Sequence, residues 1–95
     1  METIASLRQE IDQVHKELHD LLLRRRDLTM AVWKIKKEQG LPFYSPEREE
    51  QILKDFVNLG TGPSKDPLFE ELLKNVMESI LREYQTYLNA KYPLK

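Results

Sequence analysis

Cysteine is absent from this 95-residue chain, which excludes a disulfide framework and thiolate chemistry and suits a reducing compartment. No apolar run approaches the ~20 residues that cross a bilayer. The opening Met1-Glu2-Thr3 has neither the basic n-region nor the apolar h-region of a signal peptide. A soluble, cytoplasmic chain with no membrane partner is the expectation. A basic surplus is missing too: charged residues make up 33% of the chain, yet the net charge is −1. That balance argues against nucleic-acid binding by bulk electrostatics. Arg24-Arg25-Arg26 does not restore a basic patch, because successive helical residues point about 100° apart. Glycine occurs only three times, and none of it forms a phosphate-cradling loop. The two histidines, His15 and His19, stand four apart and could share a metal, but the pattern offers no third ligand. Surface histidines are the simpler reading, and no metal or cofactor is expected. Strand signals, repeats and low-complexity segments are also missing.

What is present is helical periodicity. Apolar residues fall at Ile4, Leu7, Ile11, Val14, Leu18, Leu21, Leu28, Val32 and Ile35, in steps of three and four that trace one seam of a helix. Thr3 is placed to cap its start, and Gly40 with Pro42 to stop it after about Gln39. No Gly or Pro interrupts this helix, so it should be ~54 Å long at about 1.5 Å per residue. A chain of this size cannot cover such a seam alone. Self-association is the simplest way to bury it, which predicts a homodimer sharing its helices.

Two shorter helices follow. Ser45-Pro46-Glu47 combines a hydroxyl cap, proline at the first helical position and an acid in the first turn. The helix it opens continues through Ile52, Leu53, Phe56 and Leu59 to Gly60. Thr61 to Lys65 reads as a turn. Asp66-Pro67 repeats the cap-then-proline signal and opens the third helix. Its apolar face is predicted as Phe69, Leu72, Leu73, Val76, Ile80, Tyr84 and Tyr87, fraying near Ala90 before Pro93. The fold class is therefore all-α: one long N-terminal helix and two shorter ones, in a single domain over residues 1–95.

Each helix carries polar residues where its pattern asks for core. Arg25 interrupts the first seam between Leu21 and Leu28. Lys36 lies eleven residues on, about 20° round and roughly 16 Å along the axis. Arg48 and Glu49 occupy the inward face one turn before Ile52 and Leu53. Ser79 and Glu83 sit four apart on the third stripe. An inward guanidinium is costly unless an anion meets it, and cations outnumber acids in this set. A small dianion would satisfy the surplus, since the guanidinium fork offers two parallel donors to a carboxylate. Arg8 precedes Arg25 by seventeen residues, ~25 Å at helical rise. It cannot join Arg25 within one chain, but the Arg8 of a second, antiparallel chain could. Trp33 reads as a packing residue. Ser79 has no histidine in pattern, so nucleophilic catalysis is unsupported.

The ordered set Leu7-Arg8-x-x-Ile11-Asp12, Leu21-Leu22-x-x-Arg25-x-x-Leu28, Lys34-x-Lys36 and Pro42-x-x-Ser45-Pro46-Glu47-Arg48-Glu49 resembles the all-helical chorismate mutases, over essentially the whole chain. The resemblance implies an intertwined homodimer of three-helix chains. It also implies a shikimate-pathway isomerase of aromatic amino-acid biosynthesis that rearranges chorismate, a dicarboxylate, to prephenate. By the same resemblance Arg25, and Arg8 from the partner subunit, would grip the carboxylates. Lys36 would donate to the ether oxygen, where charge develops as its bond breaks. Arg48 and Glu49 match a pair whose acid binds the ring hydroxyl. Ser79 matches a serine near a carboxylate, and Glu83 falls where many members have Gln and some Glu.

Two departures stand out. Ser45 occupies a position where some members have Asp, and Glu83 in place of Gln could donate to the ether oxygen only when protonated. Activity is therefore expected to decline as rising pH ionises Glu83. The chemistry accounts for the residue types, because a pericyclic rearrangement needs positioning and charge stabilisation rather than a nucleophile or proton transfer. Two other readings compete. One is an isochorismate pyruvate lyase on the same fold, against which Glu49 counts, since lyases tend to be apolar there. The other is a non-catalytic helical dimerisation or regulatory module, which leaves the inward cations unexplained. Association with another shikimate-pathway enzyme is compatible with the first reading.

Overall fold

Three helices appear where the capping signals predict them. The structure, a computed structural model, describes residues 2–59 and 66–92. Helix α1 spans Ile4–Gln39, α2 Pro46–Asn58 and α3 Pro67–Lys91, and no strand occurs among the described residues. The chain divides into two compact units, Met1–Leu41 and Pro42–Lys95. The first contains α1; the second contains α2 and α3, which pack on each other.

Thr3 caps α1 with a reciprocal box. Its Oγ1 accepts from the Ser6 backbone N–H at 3.1 Å, and its own N–H donates to Ser6 Oγ at 2.9 Å, satisfying two of the helix's unpaired donors. At the other end Gly40 adopts φ 68°, ψ 26°, the left-handed region that costs glycine least. The Leu41 N–H then donates to the Lys36 carbonyl at 2.8 Å and the Gly40 N–H to the Lys37 carbonyl at 3.3 Å. This paired closure satisfies orphan carbonyls of the last turn, beside two lysines that favour its negative end. Ser45 and Asp66 cap α2 and α3, accepting from Arg48 N–H at 3.3 Å and Phe69 N–H at 3.2 Å, with proline at the start of each helix.

The predicted boundaries shift only at the ends. Helix α2 closes at Asn58 rather than Gly60, tightened by a bond from Leu59 N–H to the Phe56 carbonyl. Gly60, the turn from Thr61 to Lys65 and Pro93 lie outside the described residues.

Burial separates two apolar stripes on α3. Leu73, Met77, Ile80, Tyr84 and Leu88 are covered, with Leu88 only 2% exposed. Phe69, Leu72, Val76 and Tyr87, predicted on the inward face, are exposed in the single chain. The sets 73-77-80-84-88 and 69-72-76 are neighbouring rows of one helix, and only the first is covered in the single chain. Helix α2 contributes half-buried Ile52, Leu53, Phe56 and Val57, spaced for one face. On α1 the nine-residue apolar seam from Ile4 to Ile35 remains 41–70% exposed at every position. Trp33 is the buried residue of that helix, at 8% exposure.

Candidate functional site

Helix α1 reverses the usual order of burial. In its C-terminal half the covered residues are Leu22, Arg25, Arg26, Thr29, Met30, Trp33 and Lys36, spaced at three and four. Taking Arg25 as the origin and about 100° per residue, this stripe runs from about 0° to about 140°. The exposed apolar residues Leu21, Leu28, Val32 and Ile35 occupy about −80° to −20°. Arg25 and Lys36, about 20° apart, therefore stand on the border between the two. The expectation that Arg25 sits within the apolar seam is corrected to this border position. One guanidinium nitrogen of Arg25, Nη1, is enclosed from solvent. Thr29 donates from Oγ1 to the Arg25 carbonyl at 2.7 Å, the back-bonding common to hydroxyl residues within helices.

Arg8 is exposed in the second turn of the same helix. Because α1 is continuous from Ile4 to Gln39, seventeen residues hold it ~25 Å from Arg25. A single chain does not bring the two arginines together.

Helix α2 gathers the next group at its N-terminus. Ser45 is the cap, Arg48 the third helical residue and Glu49 the fourth. The Ser45 hydroxyl oxygen accepts from Arg48 N–H, and the Ser45 carbonyl accepts from Glu49 N–H at 3.1 Å. The hydroxyl proton of Ser45 thus stays available as a donor. Arg48 is exposed and Glu49 half-buried. Sequence reasoning missed one member of this group. Tyr44, just before the cap, has its pKa raised from 10.0, first by a side-chain hydrogen bond to Glu49, then by that carboxylate's charge and a little desolvation. The two residues stand at the positions that flank a cap, where apolar pairs often pack on each other.

On α3, Ser79 is half-buried and accepts from Arg82 Nη2 at 3.4 Å. Glu83 is exposed, and its Oε1 lies 4.0 Å from Arg82 Nε. Ser79 and Glu83 share a face, about 40° apart, with Arg82 beside both. That arginine was not singled out by pattern. An exposed pair of this kind adds little stability, but it restrains the Glu83 side chain.

Chemically, each unit carries groups suited to anion recognition. The first holds the two cations of α1. The second holds an arginine with a carboxylate at the start of α2, and hydroxyl and carboxyl groups on α3. Among the described residues no group of three or more His, Cys, Asp or Glu could hold a metal. His19 instead bonds its neighbour Asp20, Nδ1 to Oδ1 at 3.2 Å. No helix among the described residues is long and apolar enough to cross a membrane.

Comparison with known proteins gives a consistent answer. Residues 7–85 match the family model described as chorismate mutase type II. The T-protein of Enterobacter agglomerans is 37% identical over 92 residues, covering 93% of this chain and 23% of that protein. The bifunctional chorismate mutase/prephenate dehydratase of Stutzerimonas stutzeri is 30% identical over 83 residues, covering 82% and 23%. The chain thus spans under a quarter of the length of these curated relatives. A solved chorismate mutase from Thermus thermophilus superposes with a TM-score of 0.75 at 31% identity, over 87% of this chain and 99% of that one.

Proposed function

Since the chain belongs to the type II chorismate mutases, we propose that it catalyses the rearrangement of chorismate to prephenate, working as one domain in a cytoplasmic homodimer. The reaction is an isomerisation: the ether C–O bond breaks as a C–C bond forms, and every atom stays in the product. Catalysis then consists of folding the enolpyruvyl arm over the ring and stabilising charge at the departing oxygen.

The observation that carries the proposal is the reversed burial on α1. Arg25 and Lys36 are covered, while Leu21, Leu28, Val32 and Ile35 face water. A chain that shelters cations and exposes leucines spends stability on a site. In this reading Arg25 forms a bidentate pair with one substrate carboxylate, and Arg8 from the partner subunit holds the other. Lys36 donates to the ether oxygen. Its backbone is held by the Gly40 closure, which suits a group that must be in place before charge develops. Glu49 accepts from the ring hydroxyl, flanked by Arg48, with Ser45 as a second polar contact. Ser79 donates to a carboxylate, and Glu83 donates to the ether oxygen when it carries its proton.

The homodimer is supported by the same helix. A seam 41–70% exposed along its full length is far longer than scattered surface leucines require. A second copy supplies a matching seam and the missing arginine together. The name of the Stutzerimonas relative couples the mutase to a prephenate dehydratase, which supports prephenate as the product.

The test is the loss of chorismate absorbance with purified protein, with the product identified. Lys36→Ala is expected to lower kcat by about 10²–10³-fold, as for other removed donors to developing charge. Arg25→Ala is expected to lower kcat/KM by about 10–150-fold, the range of a lost charged hydrogen bond. Glu83→Gln supplies a donor at every pH, so a pH–rate profile identical to wild type refutes the role given to Glu83. Pyruvate from isochorismate without prephenate would replace the mutase by a lyase. No reaction with either substrate would leave the cations to another anion.

A further inference from the structure

We propose that Arg82 is a further substrate-binding residue: its guanidinium joins Ser79 in holding one carboxylate of the substrate. The inference deepens the proposed function and rests on it for the identity of that substrate.

The middle of α3 is acidic around Ser79. Glu78 and Glu83 lie on either side of it in rotation, about 100° before and about 40° after. Between Lys74 and Lys91, Arg82 is the only basic residue. A carboxylate that reached Ser79 with no cation beside it would meet Glu78 and, whenever it is ionised, Glu83. Like charges at that range oppose binding.

Arg82 is turned to meet this need. By helical spacing its ordinary partner is Glu78, four residues earlier. The guanidinium points the other way: Nη2 donates to Ser79 Oγ at 3.4 Å, and Nε lies 4.0 Å from Glu83 Oε1. The bond to Ser79 also settles what that hydroxyl offers. Its oxygen accepts from Arg82, so its proton stays available for a substrate carboxylate, the role proposed for Ser79 above. A guanidinium carries five N–H donors in a planar fork, and the bond to Ser79 uses one. A carboxylate oxygen accepting from the hydroxyl sits about 2.7 Å from Oγ, beside the same fork. The Arg82 side chain is 68% exposed, and an exposed pair adds little to stability, so packing does not account for its direction. Ser79 is half-buried, which places the pair at the edge of the covered side of α3.

Arg82→Gln removes the charge and keeps a polar side chain; Arg82→Lys keeps the charge without the fork. Chorismate kinetics are measured on both beside the wild type, at low salt and at about 1 M, where the screening length is ~3 Å. Binding of an unreactive cyclic dicarboxylate and of its two monocarboxylate counterparts is measured by calorimetry. At low salt Arg82→Gln should raise KM about three- to tenfold with kcat within about twofold, the signature of lost uniform binding. That difference should shrink at high salt, and Arg82→Lys should recover part of it. The dicarboxylate and one monocarboxylate should bind Arg82→Gln more weakly, while the other monocarboxylate binds it as it binds the wild type. Equal weakening of all three probes, or a KM change indifferent to salt, would show a structural role and overturn the inference. So would an unchanged KM beside a wild type that rearranges chorismate. A wild type that leaves chorismate untouched overturns the proposed function, and the inference falls with it.

Discussion

Replacing Leu18 by lysine should separate the chains. Nine seam residues of α1 are 41–70% exposed, with Leu18 at 47%. Complete burial of such a side chain contributes about 1.5–3 kcal/mol, so about 1 kcal/mol remains to be gained at each position. Two seams of nine residues give roughly 18 kcal/mol in gross terms, against an association cost of about 4–15 kcal/mol. The surplus is roughly 3–14 kcal/mol, of which a single position in each copy supplies about 2 kcal/mol. Leu18→Lys forfeits about 2 kcal/mol per dimer, before any cost of confining two ammonium groups that cannot fully snorkel. That corresponds to at least a ~30-fold weaker Kd.

Sedimentation equilibrium reads the mass, and thermal unfolding at several protein concentrations reads the coupling of assembly to stability. Gln9→Lys, on the same helix but about 160° round from Leu7 and Ile11, adds the same charge off the seam and is the control. It should leave mass and Tm unchanged, while Leu18→Lys lowers both. A wild type that sediments as a single chain at about 100 µM, where an association of roughly −5.5 kcal/mol half-populates the dimer, would refute the reasoning. So would a Leu18→Lys variant indistinguishable from the control.

Three further outcomes follow from the described geometry. Leu88→Ala removes the most completely buried side chain among the described residues, 2% exposed, and should cost about 2–5 kcal/mol in urea unfolding at fixed protein concentration. Gly40→Ala places a Cβ where nothing lies within 4 Å but φ is +68°, so the loss of about 1 kcal/mol should be purely conformational, with Gly40→Asn costing less. Tyr44 has a folded pKa above its ordinary 10.0, so its contact with Glu49 contributes fully below that value and is lost as pH rises through the folded pKa. In a spectrophotometric titration Tyr44→Phe should therefore delete the tyrosine that ionises late in the folded protein. Loss of an ordinary one instead would contradict the pairing.

The helices were legible because their ends are local. Thr3, Gly40, Ser45-Pro46 and Asp66-Pro67 satisfy backbone groups within four residues of themselves, so no distant contact is needed to recognise them. The covered row of α3 was less legible. Leu72 with Val76 and Leu73 with Met77 are equally apolar, and which row is covered depends on tertiary packing that no periodicity in α3 reveals. Arg25 and Lys36 were visible as intruders, yet their border position depends on what covers Trp33 and exposes Leu28. The Tyr44–Glu49 pair escaped notice for another reason. It crosses a helix cap, joining a loop residue to a helical one, and neither residue breaks a pattern on its own side.

The uninterrupted course of α1 makes the helix a ruler. Position along it is a count of residues, with about 1.5 Å and 100° added at each. One residue inserted between Arg8 and Arg25 would turn every downstream group by about 100°, carrying Arg25 and Lys36, together with Leu28, Val32 and Ile35, out of line with the upstream seam. Seven inserted residues would lengthen the ruler by about 10 Å yet restore the facing to within about 20°. Change in this segment is therefore confined to substitution, or to length steps of nearly whole turns. The loop that begins at Pro42 lies beyond the closure made by Gly40 and Leu41 and falls outside that rule.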